Sequence, residues 1–335
     1  MPKQLTVVNY KQNKMELNFK GLPQLLKRFP DDKTAREYFE QERWAGCPEC
    51  PYCGSNKWYK LKDYKKYKCG DCRKIYTVTV GTVFESSTIP LNIWFAAMYL
   101  LASHKKGISS VQAAKDLGVT QKTAWFMLHR IREMAREKEH IVLNGIVEMD
   151  ETYMGRKFHS EMKPQDFDFT PSWPRIERKG CVFGMIERGG KLVVKVFEGK
   201  DSAGIKKSIL KHVNKAAWIY TDDAYLYRRG LEDYKRESVT HSKREYVRGD
   251  VSTNQIENFW GVMKRGIYGI NHQVSYKHLH RYCDEFSYRY NSRTLQDNNR
   301  FIITLGRTKG RLKYSQLISK NGKSKKEDNE QKEAS

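Results

Sequence analysis

No apolar run in this 335-residue sequence exceeds the ten residues from Ile93 to Ala102. A membrane-crossing helix needs about 20, so no spanning segment is expected. The opening MPKQLTVVNYKQNK has neither the apolar stretch nor the small-residue cleavage site of a secretory leader, and secretion is not expected. No internal repeat and no glycine-rich nucleotide loop occur, which argues against a solenoid and against a nucleotide cofactor. Acids are few: 39 Asp+Glu stand against 62 Lys+Arg, a net charge of +23. With 39% hydrophobic and 12% aromatic residues the chain is too apolar to be disordered throughout, and its length suits two or three domains. A pI near 9.6 points to a polyanionic partner, for which nucleic acid is the usual choice.

Seven cysteines are an odd count, and five of them fall between Cys47 and Cys72, a clustering that favours metal binding in a reducing compartment over disulfides. The spacing is Cys50-x2-Cys53, fifteen residues, then Cys69-x2-Cys72. Four thiolates on two tight turns can close a tetrahedral shell around one structural Zn2+ per chain, with Gly54 and Gly70 easing the turns. Cys47 has the same spacing to Cys50 and is an alternative ligand, but the CPYCGS string better fits a ribbon turn. The alternation in Tyr76-Thr77-Val78-Thr79-Val80 suits a strand that finishes a zinc ribbon. Ahead of it, residues 15–45 have near-helical apolar spacing broken by Pro23 and Pro30, which predicts short helices.

After Pro90 the segment LNIWFAAMYLLASHKKG reads as a buried helix ending at Gly107. Ser109 and Gln112 form a capping-box pattern for a short helix whose apolar face, Val111, Ala114 and Leu117, ends at Gly118. Thr120 can cap a second helix bearing Ala124, Met127, Leu128, Ile131, Met134 and Ala135 beside Lys122, Arg130, Arg132 and Arg136. The pair predicts a helix-turn-helix, in which Gln121, Lys122 and Thr123 would reach base edges in the major groove. A plain helical hairpin would show the same periodicity; the basic context and the neighbouring ribbon favour DNA.

From Gly145 the pattern becomes strand, hairpin, helix and strand, with Asp150 in the first strand, a Gly189-Gly190 turn, a helix starting at Asp201, and Asp222 closing a hydrophobic strand. The crossover helix allows a parallel neighbour, so a mixed sheet is expected with two carboxylates on adjacent strands. Alternation sends Glu151 and Asp223 to the faces opposite Asp150 and Asp222. Glu257 projects from the edge of a helix whose other side carries Ile256, Phe259, Trp260 and Met263. Phosphoryl transfer with two hard cations needs oxygen ligands that converge, and Asp150, Asp222 and Glu257 could supply them. Glu285 is another acid in reach of that region, but its expected role is pairing with Arg289 at i+4.

The strings MDETYMGRK, YTDDAY, HSKREYV, TNQIENFWGVMKR and EFSYRYNSR closely resemble bacterial insertion-sequence transposases of the DDE superfamily, in the zinc-ribbon group related to Merlin elements. The resemblance runs from about Trp44 to Arg293. It implies a four-cysteine ribbon at 46–86, a helix-turn-helix domain at 88–140 and an α/β RNase H-like catalytic domain with a mixed sheet at 145–300; apolar spacing and composition add an N-terminal helical segment at 1–45 and a basic, unstructured tail at 301–335, so that the chain is multidomain. It also implies a catalytic triad of Asp150, Asp222 and Glu257 holding two Mg2+ or Mn2+ ions. Water would cut a phosphodiester at an element end and the freed 3'-hydroxyl would attack target DNA, with no covalent protein intermediate.

By the same resemblance Lys264, seven residues after Glu257, would contact a terminal phosphate, and His241 in HSKREYV is a further site candidate. The implied partners are the terminal inverted repeats, target DNA and further copies of the chain. The implied location is the cytoplasm, on the nucleoid if the source is prokaryotic. A DNA-binding protein that has lost catalysis, and an RNase H-like nuclease that cuts without joining, are the alternatives. The proline-bearing stretch from Arg156 to Lys179 is expected to be a loop between the first two catalytic strands.

Overall fold

The computed structural model describes residues 17–154, 180–199, 201–222, 231–239 and 247–319. The stretch expected to be a loop therefore lies outside the described residues, as do His241 and Asp223. The described residues divide into two compact units: one combines residues 17–104, 110–134 and 295–319, and the other combines 105–109 with the described part of 135–294. No helix among the described residues is long and apolar enough to cross a membrane.

The first unit opens with α1 (Leu22–Arg28), which has Pro23 in its first turn, and α2 (Asp32–Trp44). The Asp31 side chain accepts the Thr34 N–H at 2.8 Å and so satisfies one of the amides a helix start leaves over. A three-stranded antiparallel meander follows: β1 (Trp58–Lys60), β2 (Tyr67–Cys69) and β3 (Ile75–Tyr76). The expected strand through Val80 stops at Tyr76. Arg43 donates from one guanidinium nitrogen to the carbonyls of Val78 and Val80, so these groups turn towards α2 instead of entering a ladder. Helix α3 (Leu91–Ser103) is buried from Trp94 to Ala102, as its unbroken apolar run requires. Next come α4 (Ser110–Leu117) and α5 (Gln121–Ala135), joined by Gly118 at φ 64 and capped by Thr120, whose hydroxyl accepts the Thr123 N–H at 3.2 Å.

The second unit is built on a five-stranded sheet. Its strands in chain order are β4 (Ile146–Met154), β5 (Gly180–Glu187), β6 (Leu192–Glu198), β7 (Trp218–Asp222) and β8 (Lys235–Val239), and their spatial order is β6-β5-β4-β7-β8. The first three pair antiparallel through the Gly189-Gly190 turn, whereas β7 lies parallel to both β4 and β8. Helix α6 (Ser202–His212), capped by Asp201 onto the Gly204 N–H at 2.9 Å, is the crossover that makes the parallel pairing possible. This mixed order is RNase H-like.

A small ladder of β9 (Val247–Arg248) and β10 (Val251–Ser252) leads into α7 (Asn254–Gly266), one π-helical turn over Ile267–Asn271, and α8 (Tyr276–Asn291). The sheet separates two cores. Val147, Met149, Phe183 and Met185 pack with Ile205 and Ile209 of α6, while Met154, Val182 and Ile186 pack with α7 and α8 on the other face. Glu285 is buried and pairs with Arg289 on α8, as its spacing predicts.

The chain then returns to the first unit through α9 (Asp297–Gly306) and α10 (Tyr314–Ile318). The expectation of an unstructured tail from 301 is thus corrected for residues 301–319. Phe301 is fully buried with its ring 5.4 Å from Phe95 and 5.6 Å from Phe19, and Leu305, Leu312 and Leu317 are buried too. The basic residues between these four, Arg307, Lys309, Arg311 and Lys313, hide the burial in the sequence. The expected boundaries shift with them: residues 17–104 and 110–134 share one core with 295–319, and the second unit ends at Thr294, short of the expected domain end at 300.

Candidate functional site

Cys50, Cys53, Cys69 and Cys72 bring their sulfurs within 4.8 Å of one another, and among the described residues they are the one such group of possible ligands. Cys50 and Cys72 sulfurs lie 3.6 Å apart, as do those of Cys53 and Cys69. A tetrahedral zinc with bonds of about 2.3 Å needs sulfur edges of about 3.8 Å, so the shell fits the ion. The Cys72 N–H donates to the Cys69 sulfur at 3.4 Å and is the main reason that thiol sits low, at about 6, ready to ligate as thiolate. Cys47, the alternative ligand, is exposed and outside the group.

The carboxylates occupy the sheet face that α7 covers. Glu148 on β4 pairs with Tyr220 on β7 in parallel register, so two residues further on Asp150 and Asp222 stand side by side, both half-buried. Burial pushes the Asp150 carboxyl up to about 7, and the neighbouring Asp222 charge adds to the shift. Glu257 is exposed in the first turn of α7, and its carboxylate accepts the Thr253 hydroxyl at 2.8 Å. Trp260, one turn further along, donates its indole N–H to Asp150 at 3.0 Å.

That approach depends on Gly184, which sits opposite Asp150 in the β4–β5 register. A methyl group there would come within 2.7 Å of Ile256 and Trp260, so only a strand without a side chain at this point lets α7 settle close. The three acids do not converge as tightly as the cysteines do. A centre for two cations about 3.5–4 Å apart is wider than a single-ion shell, and all-oxygen donors with mutual repulsion suit hard divalent ions.

Residues 142–291 match the ISXO2-like transposase domain, and residues 30–75 match the transposase zinc-ribbon domain; together the two matches cover more than half of the chain. The chain belongs to the insertion-sequence DDE transposases. A protein of the transposable element ISH50 from the archaeon Halobacterium salinarum is 28% identical over 252 residues, 72% of this chain and 84% of that protein. The Mos1 strand transfer complex aligns with 63% of this chain and 73% of its own at 14% identity, with a TM-score of 0.24. The Mos1 transposase paired-end complex aligns with 64% and 79% at 14% identity, with a TM-score of 0.26. At such scores these two likenesses are too weak to carry the fold, which rests on the strand order and the matched domains.

In this transposase the helix-turn-helix residues singled out from sequence have partners of their own. Gln121 is exposed and donates to the Ser110 hydroxyl at 2.8 Å, bridging the start of α5 to the start of α4. Lys122 is exposed with its ammonium 5.1 Å from the Tyr314 ring, and the Thr123 hydroxyl pairs with that of Thr120 at 2.8 Å within the helix cap. The basic context is thinner than the sequence suggests. Arg130 and Arg132 are 4% and 2% exposed, and Arg130 donates to the backbone carbonyls of Val83, Glu85 and Leu312, so neither is open to phosphate. Lys264 is exposed two turns beyond Glu257.

Three residues at the candidate site carry no such mark in the sequence. Trp260 counted as one of an apolar stripe, and only the packed helix shows its N–H aimed at Asp150. Glu148 and Arg188 form a bridge at 2.8 Å beneath the acid pair. The available signal was alternation, since Glu148 precedes Asp150 by two and must share its face.

The raised Asp150 carboxyl has a measurable consequence. Its folded value of about 7 lies above the ordinary 3.8, so between these pH values the folded state keeps a proton that the unfolded chain has lost. Stability therefore falls as pH rises through that window and levels off above it. Asp150→Asn removes the penalty while leaving Trp260 an acceptor. Without added divalent cation the variant is expected to melt above the wild type by a margin that widens from pH 5 to pH 7 and then stays constant, up to about 4 kcal/mol. Thermal unfolding of both proteins at pH 5, 7 and 8 checks this; a pH-independent margin would contradict it.

Proposed function

We propose that this chain cuts DNA at the ends of its own element and joins the freed 3'-hydroxyls to target DNA. The observation that carries the reading is the placement of Asp150 and Asp222 side by side on parallel strands, under the helix that presents Glu257, within the matched transposase domain. Asp150, Asp222 and Glu257 would hold two Mg2+ or Mn2+ ions, which when bound activate the attacking oxygen and stabilise the leaving one. The Trp260 indole fixes the Asp150 carboxylate, and Thr253 holds that of Glu257, so neither acid has to search for its orientation. Lys264, on the same side of α7 as Glu257, would meet a phosphate of the bound end as a point charge.

Recognition of the terminal inverted repeats falls to α5, whose first turn offers Gln121, Lys122 and Thr123. The intramolecular partners of all three are surface contacts that a base edge or phosphate can replace. The net charge of +23 would supply sequence-independent affinity. Two element ends must be held together for joining, which favours a homo-oligomer on DNA.

The test incubates the purified protein with Mg2+ and the DNA that flanks its own gene, and maps every 3'-end. The expected result is cutting at repeat boundaries followed by linkage of those ends to target DNA. Cutting without linkage would make the protein a nuclease, and binding without either would make it a DNA-binding protein that has lost its chemistry.

A further inference from the structure

Helix α7 starts in an unusual way. Thr253 holds the N-cap position, where a threonine hydroxyl ordinarily accepts an amide of the first turn, yet it makes no such bond and donates to Glu257 instead. The amides it leaves over are taken from outside the helix. Glu148, 1% exposed on β4, accepts the N–H groups of Gln255 at 2.8 Å and Ile256 at 3.2 Å with one carboxylate oxygen. Its other oxygen accepts from Arg188 at 2.8 Å. Arg188 spends its remaining donors on the chain just before α7: Asp250 carbonyl at 2.8 Å, Ser252 hydroxyl at 2.8 Å and Ser252 carbonyl at 3.2 Å. The same guanidinium lies 5.0 Å from the Tyr220 ring centre.

These contacts form one tier of the sheet directly below the acids. Glu148 and Tyr220 are register partners, and two residues on from them stand Asp150 and Asp222. A buried ion pair is seldom retained for stability, since an apolar pair of similar volume is often as good or better. What this one does is fix geometry: both oxygens of Glu148 and three nitrogens of Arg188 tie the start of α7 to β4, which carries Asp150, and to the end of β5, while the Arg188 guanidinium also stacks on Tyr220 of β7, the strand of Asp222. A carboxylate is also the group that best meets the positive end of a helix dipole.

We infer that the Glu148–Arg188 pair is a positioning clamp for Glu257: it takes over the capping of α7, which frees the Thr253 hydroxyl to hold the Glu257 carboxylate against the Asp150–Asp222 pair. Neither Glu148 nor Arg188 touches the DNA or the ions in this role. The inference rests on the proposed function for its catalytic consequence, but its structural half stands apart from any activity.

Hydrogen exchange in the absence of DNA and Mg2+ tests that half. In Glu148→Gln, one amide acceptor remains but the charge and the Arg188 partner are lost, and exchange over 254–258 is expected to accelerate at least tenfold while the β4–β5 ladder keeps wild-type protection. Unchanged exchange at 254–258 would overturn the clamp, and so would equal loss of protection throughout the sheet, which would mark Glu148 as a general stabiliser. The catalytic half is tested by Thr253→Val and Thr253→Ser, which differ in the hydroxyl. Thr253→Val is expected to lower the cleavage rate at saturating DNA at least tenfold with unchanged end binding and melting temperature, and Thr253→Ser to restore it. Wild-type rates in Thr253→Val would overturn the link to Glu257.

Should Glu148→Gln fail to fold, the threonine pair decides. If the wild type itself cleaves nothing, the proposed function falls and the exchange experiment still decides the clamp.

Discussion

Replacing Asp150 with Asn, Asp222 with Asn or Glu257 with Gln is expected to remove both cleavage and joining, by at least about 10^3-fold, while end binding stays within a few-fold of wild type. Each change keeps the size of the side chain and deletes one anionic oxygen donor. Loss of an outer partner of a metal ligand already costs roughly 10–100-fold, so loss of a ligand itself should exceed that, and 10^3-fold corresponds to about 4 kcal/mol of barrier. Binding is spared because the charge of DNA-contacting lysines and arginines is untouched, and removal of an acid can only reduce repulsion of phosphate. Gel-shift and 3'-end mapping on the three variants beside wild type separate the two effects. Wild-type cleavage by all three would sink the site assignment, and loss of binding in step with cleavage would show that they disturb the fold.

Any one of Cys50→Ser, Cys53→Ser, Cys69→Ser or Cys72→Ser should release the zinc and unfold the ribbon, whereas Cys47→Ser should do neither. The meander has three strands of two or three residues each, far too little buried surface to hold without its ion, and binding of such an ion supplies on the order of 10 kcal/mol of folding energy. Trp44 reports on the event. Its ring packs edge-on against Tyr67 at 5.3 Å and Tyr76 at 6.0 Å, so release of the ribbon should shift its environment towards water. Elemental analysis giving one zinc per chain for Cys47→Ser and none for the other four, with the fluorescence change confined to those four, is the expected outcome. Zinc retained by any of the four would mean that Cys47 substitutes.

Much of this architecture can be read from residues alone, for physical reasons. Cysteine pairs with two residues between them leave few alternatives, the Gly189-Gly190 turn separates two strands of plain alternation, and the ten-residue apolar run can only be interior. Asp150 and Asp222 are legible because strand alternation fixes which way each points, the one within β4 and the other at the end of β7. What stays hidden depends on partners distant in sequence. Arg130 looks like a DNA contact until its guanidinium is seen on three carbonyls, one of them 182 residues away. Trp260 looks apolar until α7 settles over Gly184. Glu148 looks like one more strand acid until the amides of a helix more than a hundred residues later arrive at it.

The return of residues 295–319 to the first unit has a bearing on how the protein is made. On the ribosome, the segments up to Met134 emerge first, yet the hydrophobic partners that complete their core, Phe301, Leu305, Leu312 and Leu317, follow only after the whole of the second unit. The nascent amino-terminal unit must therefore wait, with the Phe95 ring lacking Phe301 and the Arg130 guanidinium lacking the Leu312 carbonyl, while some 160 residues of the second unit are synthesised. A newly made polypeptide therefore completes the core behind α5 only once the second unit has been synthesised, close to the message and so, where transcription and translation are coupled, close to the gene that encodes it.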